Sequence, residues 1–372
     1  MKTFYENKKV LFCSNSSWNI YNFRLNLIKK LLSKKYKVFV LSSRDEFTEK
    51  LIKNGCEFYE IKINRSNINL FNNFFLFIKY VIFIRKINPN LILSYTIKPN
   101  IFSALAARIL KIDIYNTITG LGSSFLGNFA IKFLTILLYR FCLRYSNLLI
   151  FQNTDDKELF TKYKILNNQN FDIIPGSGID VNFYYYDKKK QNNSFNNFLF
   201  IGRIIKDKGI CELIKAFEYI NKKGLNAQLF LLGKPDKENP SNITISKIQE
   251  WEKRKIIVFL GYSNDVRKFI IESDCVILPS YREGMPKSLL EASSIGRPII
   301  TTNVPGCKDV VDDKITGLLC KSRDVNDLIK KIEYFLYTNL NQRIQMGYNG
   351  RKRILNKFNE KIIIDKYLDH II

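Results

Sequence analysis

Two carboxylates, Glu283 and Glu291, stand eight positions apart in "SYREGMPKSLLEASSIGRP", residues 280 to 298. Gly284 and Pro286 mark a tight turn between them, and Pro286 suits the first position of a helix that would carry Glu291. The N–H groups of Lys287, Ser288 and Leu289 would then be orphan donors at a helix start, a setting that suits phosphate or carbohydrate oxygens. Carboxylates only accept hydrogen bonds, so they suit neutral hydroxyls. A second stretch, "RIIKDKGI", places Arg203 and Lys208 on one strand-to-helix connection, with Gly202 and Gly209 freeing the backbone. Two cations beside a helix start form an anion site, and a guanidinium can grip a diphosphate in bidentate fashion. Acids for hydroxyls and cations for phosphates together match a ligand such as a nucleotide sugar. Each feature also has a plainer explanation: a solvated turn with incidental charges, a first-turn acid complementing the helix dipole, and an exposed helical glutamate.

The elements that must hold these residues follow from the hydrophobic pattern. At about 150 residues per domain, 372 residues suggest two domains. Short apolar runs alternate with amphipathic stretches: "KVLFCS" precedes "FRLNLIKKLLSKK", "KVFVLSS" precedes "EFTEKLIKNG", and "LILSYT" precedes "NIFSALAARILK". "NLLIFQN", "DDKELFTKY" and "FDIIPGSG" close the set. This alternation is the mark of βα units and a doubly wound parallel sheet. The pattern breaks in the polar, aromatic stretch 180 to 197 and restarts at "NFLFIG", followed by apolar residues at Ile210, Leu213, Ile214 and Phe217. That is helical spacing. "AQLFLLG", "IIVFLG", "CVILPS" and "RPIITTN" are the next strands. The reading is an α/β protein of two Rossmann-like domains, residues 1–177 and 178–372, with a hinge near Ser177 to Asp180 and a last helix that can pack back on the first domain. A ligand is expected between the domains, beyond the carboxyl ends of the strands.

Charge adds a second kind of surface. The net charge is +25, which implies an anionic partner: nucleic acid, an acidic membrane or a phosphorylated small molecule. From Ile61 to Thr154 the only acid is Asp113, against eleven Lys or Arg. The same region carries the aromatic runs "NLFNNFFLFIKYVIFIRK" and "NFAIKFLTILLYRFCLRY". Neither reaches the roughly 18 to 20 uncharged apolar residues of a spanning helix. They read as core helices, one of which can rest its basic, aromatic face on anionic lipid. Lys132, Arg140 and Arg144 recur at helical spacing beside Phe133, Ile136, Leu137 and Phe141 and are the expected contacts. Seven scattered cysteines without a C-x-x-C pair read as reduced, buried thiols. The start, "MKTFYENKKVLFCSNSS", is not expected to be a signal peptide, because its apolar run is four residues long. His370 is the only histidine, which disfavours histidine triads, two-histidine zinc sites and histidine general bases.

Taken together, "EGMPKSLLE", preceded by "ILPS" and followed by "ASSIGRPIITTNVPG", resembles the retaining glycosyltransferases of family 4, which have the GT-B fold with two Rossmann-like domains facing a central cleft. "FIGRIIKDKG", "PGSGIDVNFYYY" and "DDKITGLLC" extend the resemblance over nearly the whole chain. It implies that Arg203 and Lys208 hold the donor diphosphate, that Glu291 holds the ribose hydroxyls, and that Glu283 with the Gly284 to Ser288 turn holds the transferred sugar. Gly202, Met285, Pro286, Lys287, Leu289 and Tyr262 complete the implied donor site. The family uses no metal or other cofactor, and the sequence has no D-x-D. "SWNIYNFR", "SYTIKPNIFSALAARI" and "ITGLGSSF" resemble enzymes that extend polyprenyl-diphosphate-linked saccharides, above all those adding N-acetylgalactosamine. That implies an acceptor side at Asn15, Thr119, Gly120 and Gly122, where glycines permit close backbone approach. It also implies a peripheral position on the cytoplasmic face of a bacterial inner membrane. The sequence departs from many relatives in "CSNSSWN", where they carry a glycine-rich loop, and in lacking a sugar-contacting histidine in the first domain.

Two other classes compete. A nucleic-acid binder would need base-stacking or groove-reading elements, and none is found. A GT-B sugar-nucleotide epimerase or hydrolase would need its own acid/base set, against which the scarcity of histidine counts.

Overall fold

The computed structural model describes residues 8–64, 69–122, 125, 129–188 and 196–372. Residues 1–7 of the N-terminal stretch, Ser123 and Ser124 of "ITGLGSSF", and 189–195 of the polar break lie outside the described residues. The chain divides into two units, Met1–Ser177 with Ile364–Ile372, and Gly178–Ile363.

In the N-terminal unit the described strands are β1 (Lys9–Cys13), β2 (Lys37–Ser42), β3 (Glu57–Glu60), β4 (Leu91–Tyr95), β5 (Asp113–Ile118), β6 (Leu148–Phe151) and β7 (Asn170–Ile173). They form one parallel sheet in the order β3-β2-β1-β4-β5-β6-β7. The C-terminal unit repeats the scheme with β8 (Asn196–Ile201), β9 (Ala227–Leu232), β10 (Ile257–Gly261), β11 (Cys275–Leu278), β12 (Ile299–Thr302) and β13 (Gly317–Cys320), ordered β10-β9-β8-β11-β12-β13 and again parallel. Both are the doubly wound order, in which winding reverses beside the first strand and a crevice opens at its carboxyl end. The α/β reading with two Rossmann-like domains therefore holds.

Central strands are buried on both faces and so read as continuous apolar runs: all five residues of β4 are buried, as are Val10 to Cys13 of β1. β3, β5 and β13 escaped the sequence reading. β3 is a four-residue edge strand with charged ends, β5 reads as the mixed "DIYNTI", and β13 is short. Helices cover the sheets with one apolar face each. The helix Ile210–Lys222 buries Ile210, Leu213, Ile214 and Phe217, at the spacing the sequence displays. The helix Phe129–Cys142 buries only Thr135, Ile136, Tyr139 and Cys142. Each unit has its own core. The seven cysteines are unpaired, and burial pushes the thiols of Cys142, Cys307 and Cys320 up to about 12, so they stay protonated near neutrality.

Gly178 opens the C-terminal unit at φ +70°, where an added Cβ would lie 2.5 Å from the Cα of Glu360. The neighbouring backbone is pinned there, Ile179 N–H donating to Phe358 at 2.8 Å and Glu360 N–H to Ile179 at 3.0 Å. Gly178→Ala should therefore be destabilising by at least ~1–2 kcal/mol, the cost of left-handed backbone alone. A thermal melt should show a drop of at least a few degrees, and an unchanged melting temperature would refute the close approach.

Candidate active site

The informative loops of the C-terminal unit follow β8 and β11, the two strands that flank its winding reversal. They are drawn together by backbone. Gly209, at φ +71°, sits so close to Pro279 that a Cβ would meet its carbonyl oxygen at 2.0 Å. Tyr281 N–H donates to the Asp207 carbonyl at 2.9 Å, and Ser280 Oγ lies 3.3 Å from the same oxygen. Tyr281 also donates its hydroxyl to the Glu212 carboxylate at 2.8 and 2.9 Å, and burial with that contact pushes the phenol up, so it stays protonated. From the other side, Glu283 N–H donates to Pro305 at 3.1 Å, and Gly306 lets its loop press on the carbonyls of Glu283 and Gly284.

The result is a direct ion pair between Lys208 Nζ and Glu283 Oε1, with Ser280 Oγ donating to the same carboxylate oxygen at 2.5 Å. Both charged side chains are mostly buried, at 16% and 14% exposure. The two residues read separately as a phosphate cation and a sugar acid are thus each other's partner. Arg203 is likewise paired, its Nη1 2.7 Å from Asp236 Oδ2, with the arginine half exposed and the aspartate buried. Such pairs preset the positions of cations and acids. Cations of this kind suit anions, and such acids suit hydroxyl donors.

The helix Lys287–Ile295 begins one residue later than expected. Pro286 is its N-cap rather than its first helical residue, in extended conformation and without a side-chain cap. Leu289 N–H is also not an orphan: it donates to the Pro286 carbonyl at 3.1 Å, a tightened first turn. Met285 packs against the core of the unit. Glu291 is buried rather than an exposed helical acid, at 7% exposure. It accepts from the Tyr184 hydroxyl at 2.7 Å and lies 3.8 Å from Lys287 Nζ. Desolvation raises its carboxyl above the ordinary range, opposed by Lys287 and by the Tyr184 hydrogen bond. Gly202 follows β8, its N–H donating to the Leu232 carbonyl at 3.0 Å. Tyr262, after β10, is exposed, with Lys234 Nζ 4.5 Å from its ring centroid.

Asp236, Ser280 and Tyr184 were not singled out in the sequence. Tyr184 lay in a stretch without periodicity, and Asp236 in "KPDKENP", whose only signal was its place after a strand.

In the N-terminal unit Asn15 follows β1, its Oδ1 3.5 Å from Ser14 Oγ, and Thr119 and Gly120 follow β5. Gly120 and Gly122 have φ of +95° and +56°, and a Cβ on Gly122 would meet nothing within 4 Å. The helix Phe129–Cys142 turns Phe129, Phe133, Leu137 and Phe141 to solvent, whereas Ile136, expected beside the exposed cations, faces the core. Arg140 Nη2 donates to the Tyr163 carbonyl at 2.6 Å and Lys132 Nζ stands 5.4 Å from the Tyr163 ring. Both therefore turn to one flank. Arg144 is exposed near Tyr145, 5.9 Å from its ring. No helix among the described residues is long and apolar enough to cross a membrane.

Two doubly wound units, with paired acids and cations at the winding reversal of the second, define the class as GT-B, and the comparisons agree. Residues 9–153 match the family model "Glycosyl transferase 4-like" and residues 185–353 match "Glycosyl transferases group 1". The chain belongs to the GT-B glycosyltransferases. A sucrose-phosphate synthase from Thermosynechococcus elongatus superposes with a TM-score of 0.80 at 18% identity, covering 98% of each chain. Among curated proteins the chain is 28% identical, over 97% of both chains, to the N,N'-diacetylbacillosaminyl-diphospho-undecaprenol alpha-1,3-N-acetylgalactosaminyltransferase of Campylobacter jejuni. It is 25% identical to the UDP-Gal:alpha-D-GlcNAc-diphosphoundecaprenol alpha-1,3-galactosyltransferase of Escherichia coli, over 82% of this chain and 80% of the relative.

The raised Glu291 carboxyl carries a stability consequence. The folded state holds that proton more tightly than the unfolded chain, so this group's contribution to stability is full below about 4.5 and is lost as pH rises through the folded value. Glu291→Gln removes the cost of burying the charge. Its melting temperature should exceed that of the wild type at pH 7, and the difference should shrink as pH falls toward 4.5. A difference independent of pH would show that the carboxyl is not strained by burial.

Proposed function

We propose that the chain transfers a hexose or N-acetylhexosamine, with N-acetylgalactosamine as the first choice, from a UDP-sugar to a polyprenyl-diphosphate-linked saccharide, with retention and without a metal. The observation that carries this reading is the Lys208–Glu283 pair at the winding reversal of the C-terminal sheet, with Arg203 on the same connection as Lys208 and paired to Asp236 from the loop after β9. Cations there suit a departing diphosphate and the glutamate suits the moving sugar. The buried Glu291, held by Tyr184, suits a ribose diol. The relatives from Campylobacter jejuni and Escherichia coli support the acceptor class by their printed activities, and the latter supports the UDP donor. In the same-face attack commonly written for retention, the departing phosphate accepts the acceptor's proton, and Lys208 and Arg203 stabilise the negative charge that develops on the departing diphosphate.

The deciding assay incubates the protein with each of several UDP-sugars and a polyprenyl-diphosphate saccharide and looks for a longer glycolipid. Lys208→Ala or Arg203→Ala should lower turnover on the order of 100- to 1000-fold, the typical cost of one preorganised charge partner. Glu283→Ala should act mainly on kcat and Glu291→Ala mainly on UDP affinity by calorimetry. Activity should persist in excess EDTA. Unchanged UDP affinity in Glu291→Ala, or a strict divalent-ion requirement in the chemical step, would overturn the corresponding assignment.

The membrane reading is sharpened by the exposed side chains. The helices Leu70–Ile87 and Phe129–Cys142 both pack against the helix Ile97–Leu110, and they expose Phe71, Phe74, Phe75 and Ile82, and Phe129, Phe133, Leu137 and Phe141. Basic residues contribute on the order of 1 kcal/mol each near anionic lipid and are screened by salt. Apolar insertion is not screened. Binding to anionic vesicles should therefore fall with salt to a residue that resists it. Reversing Lys132, Arg140 and Arg144 to Glu should remove the salt-sensitive part, and changing Phe133, Leu137 and Phe141 to Ser should remove the rest. If the serine variant cosediments with vesicles as wild type does, the membrane face lies elsewhere.

A further inference from the structure

The N-terminal sheet has its own winding reversal, between β1 and β4. β4 ends at Tyr95, and Thr96 follows at φ 69° and ψ 159°, a conformation otherwise almost reserved for glycine. Thr96 is the N-cap of the fourteen-residue helix Ile97–Leu110 and makes no side-chain cap. Against Tyr95 lies a guanidinium. Arg24, on the helix Ser17–Ser33, has its Cζ 4.2 Å from the Tyr95 ring centroid and 5.4 Å from that of Tyr367. Arg24 is only 3% exposed. Among the described residues no carboxylate pairs with it, and its Nε has no hydrogen-bond partner. The buried Tyr95 hydroxyl and the buried Thr96 Oγ1 have none either.

A buried cation without a counter-charge is costly, and so is each buried donor left unmade. Hydrophobic neighbours explain the stacking on Tyr95 but not three unmet polar groups at one strand end. A neutral ligand could meet the hydroxyls and not the charge. An anion with several oxygens meets all of them, and a phosphate does so with the geometry a guanidinium fork prefers. The Tyr367 hydroxyl, 3.3 Å from Thr117 Oγ1, joins this cluster to the end of β5, two residues before Thr119 and three before Gly120.

We propose that Arg24, with the Tyr95 and Thr96 hydroxyls, is a phosphate-binding site of the N-terminal unit and holds the diphosphate of the acceptor. The choice of a lipid-linked diphosphate rests on the acceptor reading above, whereas the anion site does not. Arg24 binds substrate here and takes no part in bond breaking.

The test uses the full chain. With the donor site filled by saturating UDP, inorganic pyrophosphate and, separately, a short-chain isoprenyl diphosphate are titrated against the melting temperature. Wild type should be stabilised by at least one of them, and Arg24→Gln by neither. Steady-state assays should give an acceptor KM about ten- to a hundredfold higher in Arg24→Gln, the range of one lost charge-assisted contact, with the UDP-sugar KM unchanged. Arg24→Lys keeps the charge without the fork, should fall between, and serves if the glutamine variant does not fold. Stabilisation by the isoprenyl diphosphate alone would assign the site to a lipid-linked ligand, and stabilisation by both to the diphosphate itself. If neither ligand stabilises wild type, or if both variants melt lower with an unchanged acceptor KM, Arg24 is a structural strut and the proposal fails. Wild type that transfers to no lipid-linked acceptor yet is stabilised by pyrophosphate through Arg24 would retire the acceptor reading and leave the anion site standing.

Discussion

Much of the C-terminal unit is arranged around one ion pair, Lys208 with Glu283. These residues lie on loops after β8 and β11, neighbouring strands whose connections leave in opposite directions. A parallel sheet opens a crevice at such a point, and the loops on its two sides meet only if their backbones can approach closely. Gly209 allows that approach against Pro279, and Gly306 allows the next loop to press on Glu283 and Gly284. Ser280 then fixes the carboxylate, and Tyr281, tied to Glu212 and to the Asp207 carbonyl, fixes the loop. Charges held this way need little rearrangement when a ligand's own charges replace the partner, which is the physical content of preorganisation.

The same unit accepts a local cost. Glu291 is buried, which makes its carboxyl harder to ionise, with one phenol donor and one distant lysine as compensation. A group that is under-compensated in the free protein is one that a ligand with a hydroxyl pair can satisfy. In the N-terminal unit Thr96 holds a strained backbone beside the buried Arg24.

The surface of the N-terminal unit follows a different rule. Its helices leave large aromatics exposed, and Lys132 and Arg140 lean toward Tyr163 instead of lining the apolar stripe. Charge and apolar area are therefore separate contributions to any interaction of this face.

Alternation of apolar and amphipathic runs was enough to identify two doubly wound units, because strands buried on both faces and helices with one apolar face leave periodic marks that need no tertiary context. The helix Ile210–Lys222 and the central strands were legible for that reason, and β3 and β5 were not, because a short edge strand and a strand of mixed polarity carry weak marks. Residue type and spacing also singled out Arg203, Lys208, Glu283 and Glu291 as candidate groups, and the structure places each of them in a pair with another side chain. What the sequence did not contain was the pairing. That Lys208 meets Glu283, Arg203 meets Asp236 and Tyr184 caps Glu291 depends on contacts between residues 75, 33 and 107 positions apart. Those contacts exist only once strand order brings the loops to one edge. Burial has the same origin: helical spacing places Ile136 and Phe141 on the same helix, and only packing decides that the first is core and the second is exposed.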